Sequence, residues 1–258
     1  MLALIFILLF GGVPELPLLF SSDFETGRAD GWRPNTPEHW RVVDLDGSRV
    51  FALTAPGEQG EVRAPTSWSV AERHDVSSFE FTGRLRCAAD PANTRRDMCI
   101  FFHFLDPTHF YYVHFSASSD EAHNIIGLVN GADRIKINLE PPGKSVFRLT
   151  DKKWHAFKVN YDASTGKIAA YLDDMKEPIL TAVDRTLSHG LVGVGSFDDT
   201  GFFDDLRLQG AKRQIPGLQN PNPTWRPSIR WMSSPANPIS KAGARKTLPT
   251  SNSYSAPK

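Results

Sequence analysis

Cysteine is scarce in this chain of 258 residues: there are two, Cys87 and Cys99. With no further thiols and no histidines at ligand spacing, zinc fingers and ribbons are excluded. What remains is one disulfide, if the strands flanking residues 88–98 pair as a hairpin, or two free thiols. Long apolar runs are lacking too. Residues 2–13 carry no charge, but twelve positions fall short of the roughly 20 that a membrane-spanning helix needs. The length suits the apolar region of a secretory signal, although no Lys or Arg precedes it and no Ala-x-Ala follows. A buried first strand or a misassigned start are the alternatives. Residues 1–19 are read as a signal peptide or hydrophobic leader. The mature chain is expected to lack a transmembrane span and to be secreted or held in the periplasm or cell envelope.

Acidic residues are missing from one end. All 29 Asp and Glu lie at or before Asp205, and residues 211–258 carry eight basic residues. The formal charge of zero therefore hides a net of −8 over residues 1–210. An acidic body argues against nucleic acid as a partner. Residues 211–258, with eight prolines and few aliphatics, cannot bury enough surface to offset chain entropy and are expected to form a disordered basic tail.

Helical periodicity is nearly absent between residues 79 and 208. Short runs of Val, Ile, Phe and Tyr recur every 8–14 positions between turn residues, as in sandwiches and barrels. Residues 79–87 place Phe79, Phe81 and Leu85 on one face and Arg84 and Arg86 on the other. The next runs place Ile100, Phe102 and Phe104, then Tyr111, Val113 and Phe115, inward. Phe101, His103, Tyr112 and His114 fall on the opposite face. Asn130-Gly131 reads as a hairpin turn, followed by a strand with Ile135, Ile137 and Leu139 inward. Residues 154–161 and 167–172 form a second hairpin, and residues 190–197 and 202–208 close the domain. Earlier strands are expected around residues 20–24, 40–43 and 50–53. Trp154 and Phe157 are expected to fill an inter-sheet core.

The Trp154-His155 strand, the Gly-bounded hairpin to Tyr171-Leu172-Asp173 and the Gly190-Leu191-Val192-Gly193 run resemble those of laminin G-like and related concanavalin A-like jelly rolls. Phe203-Asp204-Asp205-Leu206-Arg207-Leu208 resembles the closing strand of laminarinase-type domains, and Ser22-Asp23-Phe24-Glu25 their first strand. The resemblance covers residues 20–210. It implies an all-β, two-sheet antiparallel jelly-roll sandwich. Laminarinase-type hydrolases carry a Glu-x-Asp-x-x-Glu strand, which this sequence lacks. Its acidic pairs, Asp173-Asp174, Asp198-Asp199 and Asp204-Asp205, are adjacent residues that point to opposite faces of a strand, so retaining hydrolysis of that type is disfavoured.

The resemblance also implies a structural calcium ion, held by Asp204 with Asp23 and loop carbonyls. The alternative is that Asp204 and Asp205 are an edge charge and an ion-pair partner of Arg207. For a ligand, the polar face of the central strands offers Arg84, Arg86, His103, Tyr112, His114 and Arg134, with Phe101, Lys136 and Asn138. On one sheet these would make a cationic, aromatic surface for a glycan; otherwise they form a solvated outer face. The expected function is that of an exported, non-catalytic carbohydrate-recognition or surface-interaction module. The alternative is a polysaccharide lyase or glycoside hydrolase working on the concave face.

Overall fold

Period-2 alternation folds into strands throughout the computed structural model, which describes residues 16–140 and 147–213. The strands are β1 (Leu18–Ser22), β2 (Trp32–Pro34), β3 (Trp40–Leu45), β4 (Ser48–Leu53), β5 (Ser67–Ala71), β6 (Val76–Cys87), β7 (Asp97–Asp106) and β8 (His109–Ser116). They continue with β9 (Ile125–Asn130), β10 (Ile135–Lys136), β11 (His155–Asp162), β12 (Lys167–Leu172), β13 (Leu180–Val183), β14 (Leu191–Ser196) and β15 (Gly201–Lys212). The helical content among the described residues is one 3-10 turn, Pro37–His39. No helix there is long and apolar enough to cross a membrane.

Two antiparallel sheets result. The first runs β13-β12-β11-β6-β15-β4-β3, and the second β10-β9-β8-β7-β14-β5-β2. The long strand β15 shares one edge between two partners: Gly201 to Phe203 pair with β4, and Leu206 to Gln209 with β1. Between the sheets lie Phe79, Phe81 and Leu85 of β6, Phe157, Val159 and Tyr161 of β11, and Phe203, Leu206 and Leu208 of β15. They meet Ile100 and Phe102 of β7, Tyr111, Val113 and Phe115 of β8, and Val192 and Val194 of β14. Each such side chain contributes about 1.5–3 kcal/mol by leaving water, so this layer dominates the stability of the fold.

Several expectations need correction. Leu18 pairs with Gln209, so the sheet begins inside residues 1–19, and β15 continues past Gly210 to Lys212. The rest of the expected leader and tail, residues 1–15 and 214–258, lies outside the described residues. The strand expected after Asn130-Gly131 shrinks to two residues, with Ile135 57% and Leu139 66% exposed rather than inward. Trp154 stays on the outside of the first sheet, stacked under the Arg84 guanidinium. Cys87 faces the inter-sheet core while Cys99 lies on the far face of the second sheet, so both are free and no disulfide can join them.

Two bulges account for the errors of phase. His103 sits at φ 44° where the β7–β8 register slips. A left-handed residue inserts one position and reverses the alternation. Phe104, expected inward beside Phe102, therefore joins the opposite face, and His103 turns in toward Phe79 and Tyr161. Asp205, at φ 52°, does the same in β15.

Candidate functional site

The outer face of the second sheet is not solvated. Val70, Cys99, Phe101, Phe104, Phe110, Tyr112, Ile125 and Val129 form a second buried apolar cluster there. Two cross-strand glycines make room for its rings. A Cβ at Gly127 would lie 2.3 Å from the Tyr112 ring, and one at Gly195 2.9 Å from that of Phe101. Segment 54–66 supplies Val62 and Ala64 to this cluster. It is fastened at one end by Gly57 N–H donating to Ser67 Oγ (2.7 Å). At the other, Arg63 N–H donates to Asp133 Oδ1 (2.8 Å) and Arg134 N–H to the Arg63 carbonyl (3.0 Å).

The expected ligand face is therefore divided. Arg84 and Arg86 belong to the first sheet. The Arg84 guanidinium bridges Asp204 Oδ2 (2.5 Å) and Asp205 Oδ2 (2.9 Å) and lies 4.8 Å from the Trp154 ring centre. Arg86 pairs with Asp46 at 2.7 Å and lies near the Phe202 ring. His103 is buried, its ring nitrogens each 2.9 Å from a carbonyl oxygen, of Leu187 and of Ser77. Tyr112 and His114 share the outer face of the second sheet but are buried, and Phe101 with them. Arg134 stands beside them, 4.8 Å over the Phe197 ring. Lys136 pairs with Glu121, and Asn138 Oδ1 accepts from Ile126 N–H. The single cationic, aromatic surface expected of these residues does not form, because their strands lie in different sheets and the bulge reverses His103.

Asp204 and Asp23 do not fit a calcium site. Both Asp204 oxygens are engaged, Oδ2 with Arg84 and Oδ1 with the Asp205 N–H. Asp23 accepts from Glu25 N–H in its own turn. Burial raises the Asp204 carboxyl above its usual value despite the pull of Arg84. Arg207, expected as the alternative partner, is replaced by Arg84.

A cleft of about 500 Å³ opens between segment 58–66 and the turn Asp106-Pro107-Thr108. Trp68 lines it with the small part of the indole that stays exposed, its ring 4.7 Å from that of Phe104 and under the Arg33 guanidinium at 5.8 Å, and Val62, Ala64, Pro65 and Pro107 add apolar wall. The polar groups are Asn35, Glu58, Glu61, Thr66, Asp106 and Thr108, the Thr66 hydroxyl donating to the Phe197 carbonyl. Burial works to raise the Asp106 carboxyl, but bonds with His109 and Thr108 outweigh it and hold it below the usual range. It is a fixed acceptor at neutral pH. The sequence signal for this region is Trp68 together with the Glu58/Glu61 pair beside Gly57 and Gly60.

No family model matches the sequence, and no curated protein matches it. Solved structures do. A protein of unknown function with a galectin-like fold from Bacillus subtilis superposes with a TM-score of 0.52 at 12% identity, over 78% of this chain and 99% of that one. The β-glucanase of Bacillus licheniformis gives 0.51 at 9% identity, over 76% and 99%. The cellulose induced protein Cip1 gives 0.51 at 14%, over 76% and 99%. The chain has the concanavalin A-like jelly-roll fold. In this jelly roll, the outer face of β7 carries Asp97, Cys99 and Phe101 in turn, all buried.

Proposed function

We propose that this jelly roll is an exported, non-catalytic carbohydrate-recognition module that holds a neutral saccharide in the cleft over Trp68. The observation that carries this is the cleft itself: an indole edge among apolar residues, lined also by three carboxylates, an amide and two hydroxyls. An apolar platform with a few fixed polar groups suits a sugar, whose C–H face packs on the ring while its hydroxyls donate to carboxylates. The lining holds three acidic residues and neither Lys nor Arg. A uronate would meet like charge from these three carboxylates, with Arg33 the nearby cation at 5.8 Å from the Trp68 ring, so an uncharged saccharide is favoured. The names of the β-glucanase and of the cellulose induced protein accord with a saccharide ligand. The uncharged stretch at residues 2–13 accords with export.

Glu58, Glu61 and Asp106 line one cleft, which keeps polysaccharide hydrolysis as a second reading. The test is a glycan-array screen of the full chain, repeated with Gly60→Arg. A Cβ at Gly60 meets nothing within 4 Å, so the larger side chain fits without strain and crowds the cleft. Neutral glycans should bind the native protein and be lost in the variant. Binding confined to uronates, or unchanged in Gly60→Arg, overturns the reading, and release of reducing ends from a bound glycan replaces it with the hydrolytic one.

A further inference from the structure

At one end of the buried outer face of the second sheet, three side chains of different chemistry converge. Cys99 and His114 are cross-strand partners in the β7–β8 ladder, and Asp97 precedes Cys99 by one period of β7. Asp97 Oδ2 lies 3.1 Å from His114 Nε2 and 3.4 Å from Cys99 Sγ. The three potential ligand atoms all fall within 4.8 Å of one another. Every one of these side chains is nearly or wholly withdrawn from solvent.

The histidine decides what this cluster can be. His114 Nδ1 is 2.9 Å from the Ala122 carbonyl oxygen, an acceptor only, so Nδ1 carries the proton. In the neutral ring Nε2 then presents a lone pair, and that lone pair faces a carboxylate. Nε2 has no aligned hydrogen-bond partner although Asp97 Oδ2 is close. Two acceptors at this separation in a dry site repel unless a proton or a metal ion lies between them. An Nδ1–H bonded to a backbone carbonyl, with Nε2 left free, is the arrangement that orients metal-ligating histidines. The two separations from Asp97 Oδ2, 3.1 and 3.4 Å, come close to metal spacing as well. Bonds of about 2.0 Å to N and O and about 2.3 Å to S, at tetrahedral angles, separate ligand atoms by roughly 3.3–3.6 Å.

We propose that Asp97, Cys99 and His114 bind one divalent cation of the zinc class. A thiolate and an imidazole select a borderline metal over calcium or magnesium. A carboxylate and a thiolate around a dication sum to zero, the charge a buried site tolerates best. Because the site is enclosed, the metal is acquired as the chain folds. The competing arrangement is an Asp97–imidazolium ion pair with a protonated Cys99 thiol, which needs no metal.

The full chain is unfolded with chelator, then refolded with and without one equivalent of cobalt(II), which replaces zinc and reports on its ligands. The expected product holds one cobalt per chain and shows a sulfur-to-cobalt charge-transfer band with intense tetrahedral d–d absorption. Binding should release the thiol proton and tighten about tenfold per pH unit while that proton is displaced. Cys99→Ser should lose the charge-transfer band, and Cys87→Ser should keep it. Native protein that refolds fully without metal and shows no sulfur-to-cobalt band overturns the proposal in favour of the ion pair, whatever the variants do. A band that survives in folded Cys99→Ser but vanishes in Cys87→Ser overturns it equally.

Discussion

Arg84→Ala should destabilise the protein more than Asp204→Asn, although the two residues form one ion pair. Asp204 is 1% exposed, whereas Arg84 is 35% exposed and has further partners in Asp205 and the Trp154 ring. Removing the arginine strands a carboxylate whose remaining close partners are the Asp205 N–H and, at 3.5 Å, the Ser48 hydroxyl. Breaking a fully buried pair in this way costs about 3–5 kcal/mol. With the arginine one-third exposed and those bonds retained, we expect about 2–3 kcal/mol. Removing the carboxylate instead leaves a one-third-exposed guanidinium with a surface partner, which costs about 1 kcal/mol. The pH dependence carries the same logic. Burial already raises Asp204 in the native protein, and loss of Arg84 raises it further. A carboxyl that is more basic folded than unfolded binds its proton more tightly in the folded state, so stability returns as pH falls through the folded value. Urea denaturation of both variants at about pH 7 and about pH 4 measures this. Equal costs at neutral pH, or an Arg84→Ala penalty that does not shrink on acidification, would refute the reasoning.

Three further outcomes follow from the packing. Gly195→Ala should cost about 1–3 kcal/mol in urea denaturation, since its Cβ would lie 2.0 Å from the Ser67 carbonyl oxygen; a neutral effect would show that β14 and β5 are not held this close. Burial lowers the proton affinity of His103, so below about pH 6.5 the unfolded chain binds the proton that the native ring refuses. Stability should fall with acidification through that window and fall less steeply in His103→Gln; parallel melting curves for the two proteins would contradict it. Burial pushes both thiols up, so an aromatic disulfide reagent should find no reactive cysteine in native protein and two after unfolding, whereas none after unfolding would mean a disulfide.

The fold was legible because alternation survives in long paired strands. Residues 79–87, 109–116 and 155–161 each show one apolar face, and these became β6, β8 and β11 with the expected sides inward. The strands β2, β5 and β13 were not foreseen, being three to five residues long, too short to show a period. The candidate site was poorly legible for two reasons. Period-2 phase tells which residues share a face of one strand, but not which sheet the strand enters, and Arg84 and Tyr112 ended in different sheets. The bulge at His103 depends on a left-handed backbone that nothing in its own side chain announces. A polar outer face was also assumed for the second sheet, where segment 54–66 adds apolar side chains to a second buried cluster.

One paired titration tests saccharide binding in the cleft at Trp68 most directly. Calorimetry of the full chain with neutral and with uronate oligosaccharides of equal length should show binding of the neutral series alone. That binding should weaken in Trp68→Phe, which keeps a ring in the Phe104 contact but removes half the indole platform. It should be unchanged in Arg84→Ala, whose guanidinium lies on the other sheet. Uronate binding that disappears with Arg84 and ignores Trp68 would contradict the account, placing the ligand on the first sheet instead.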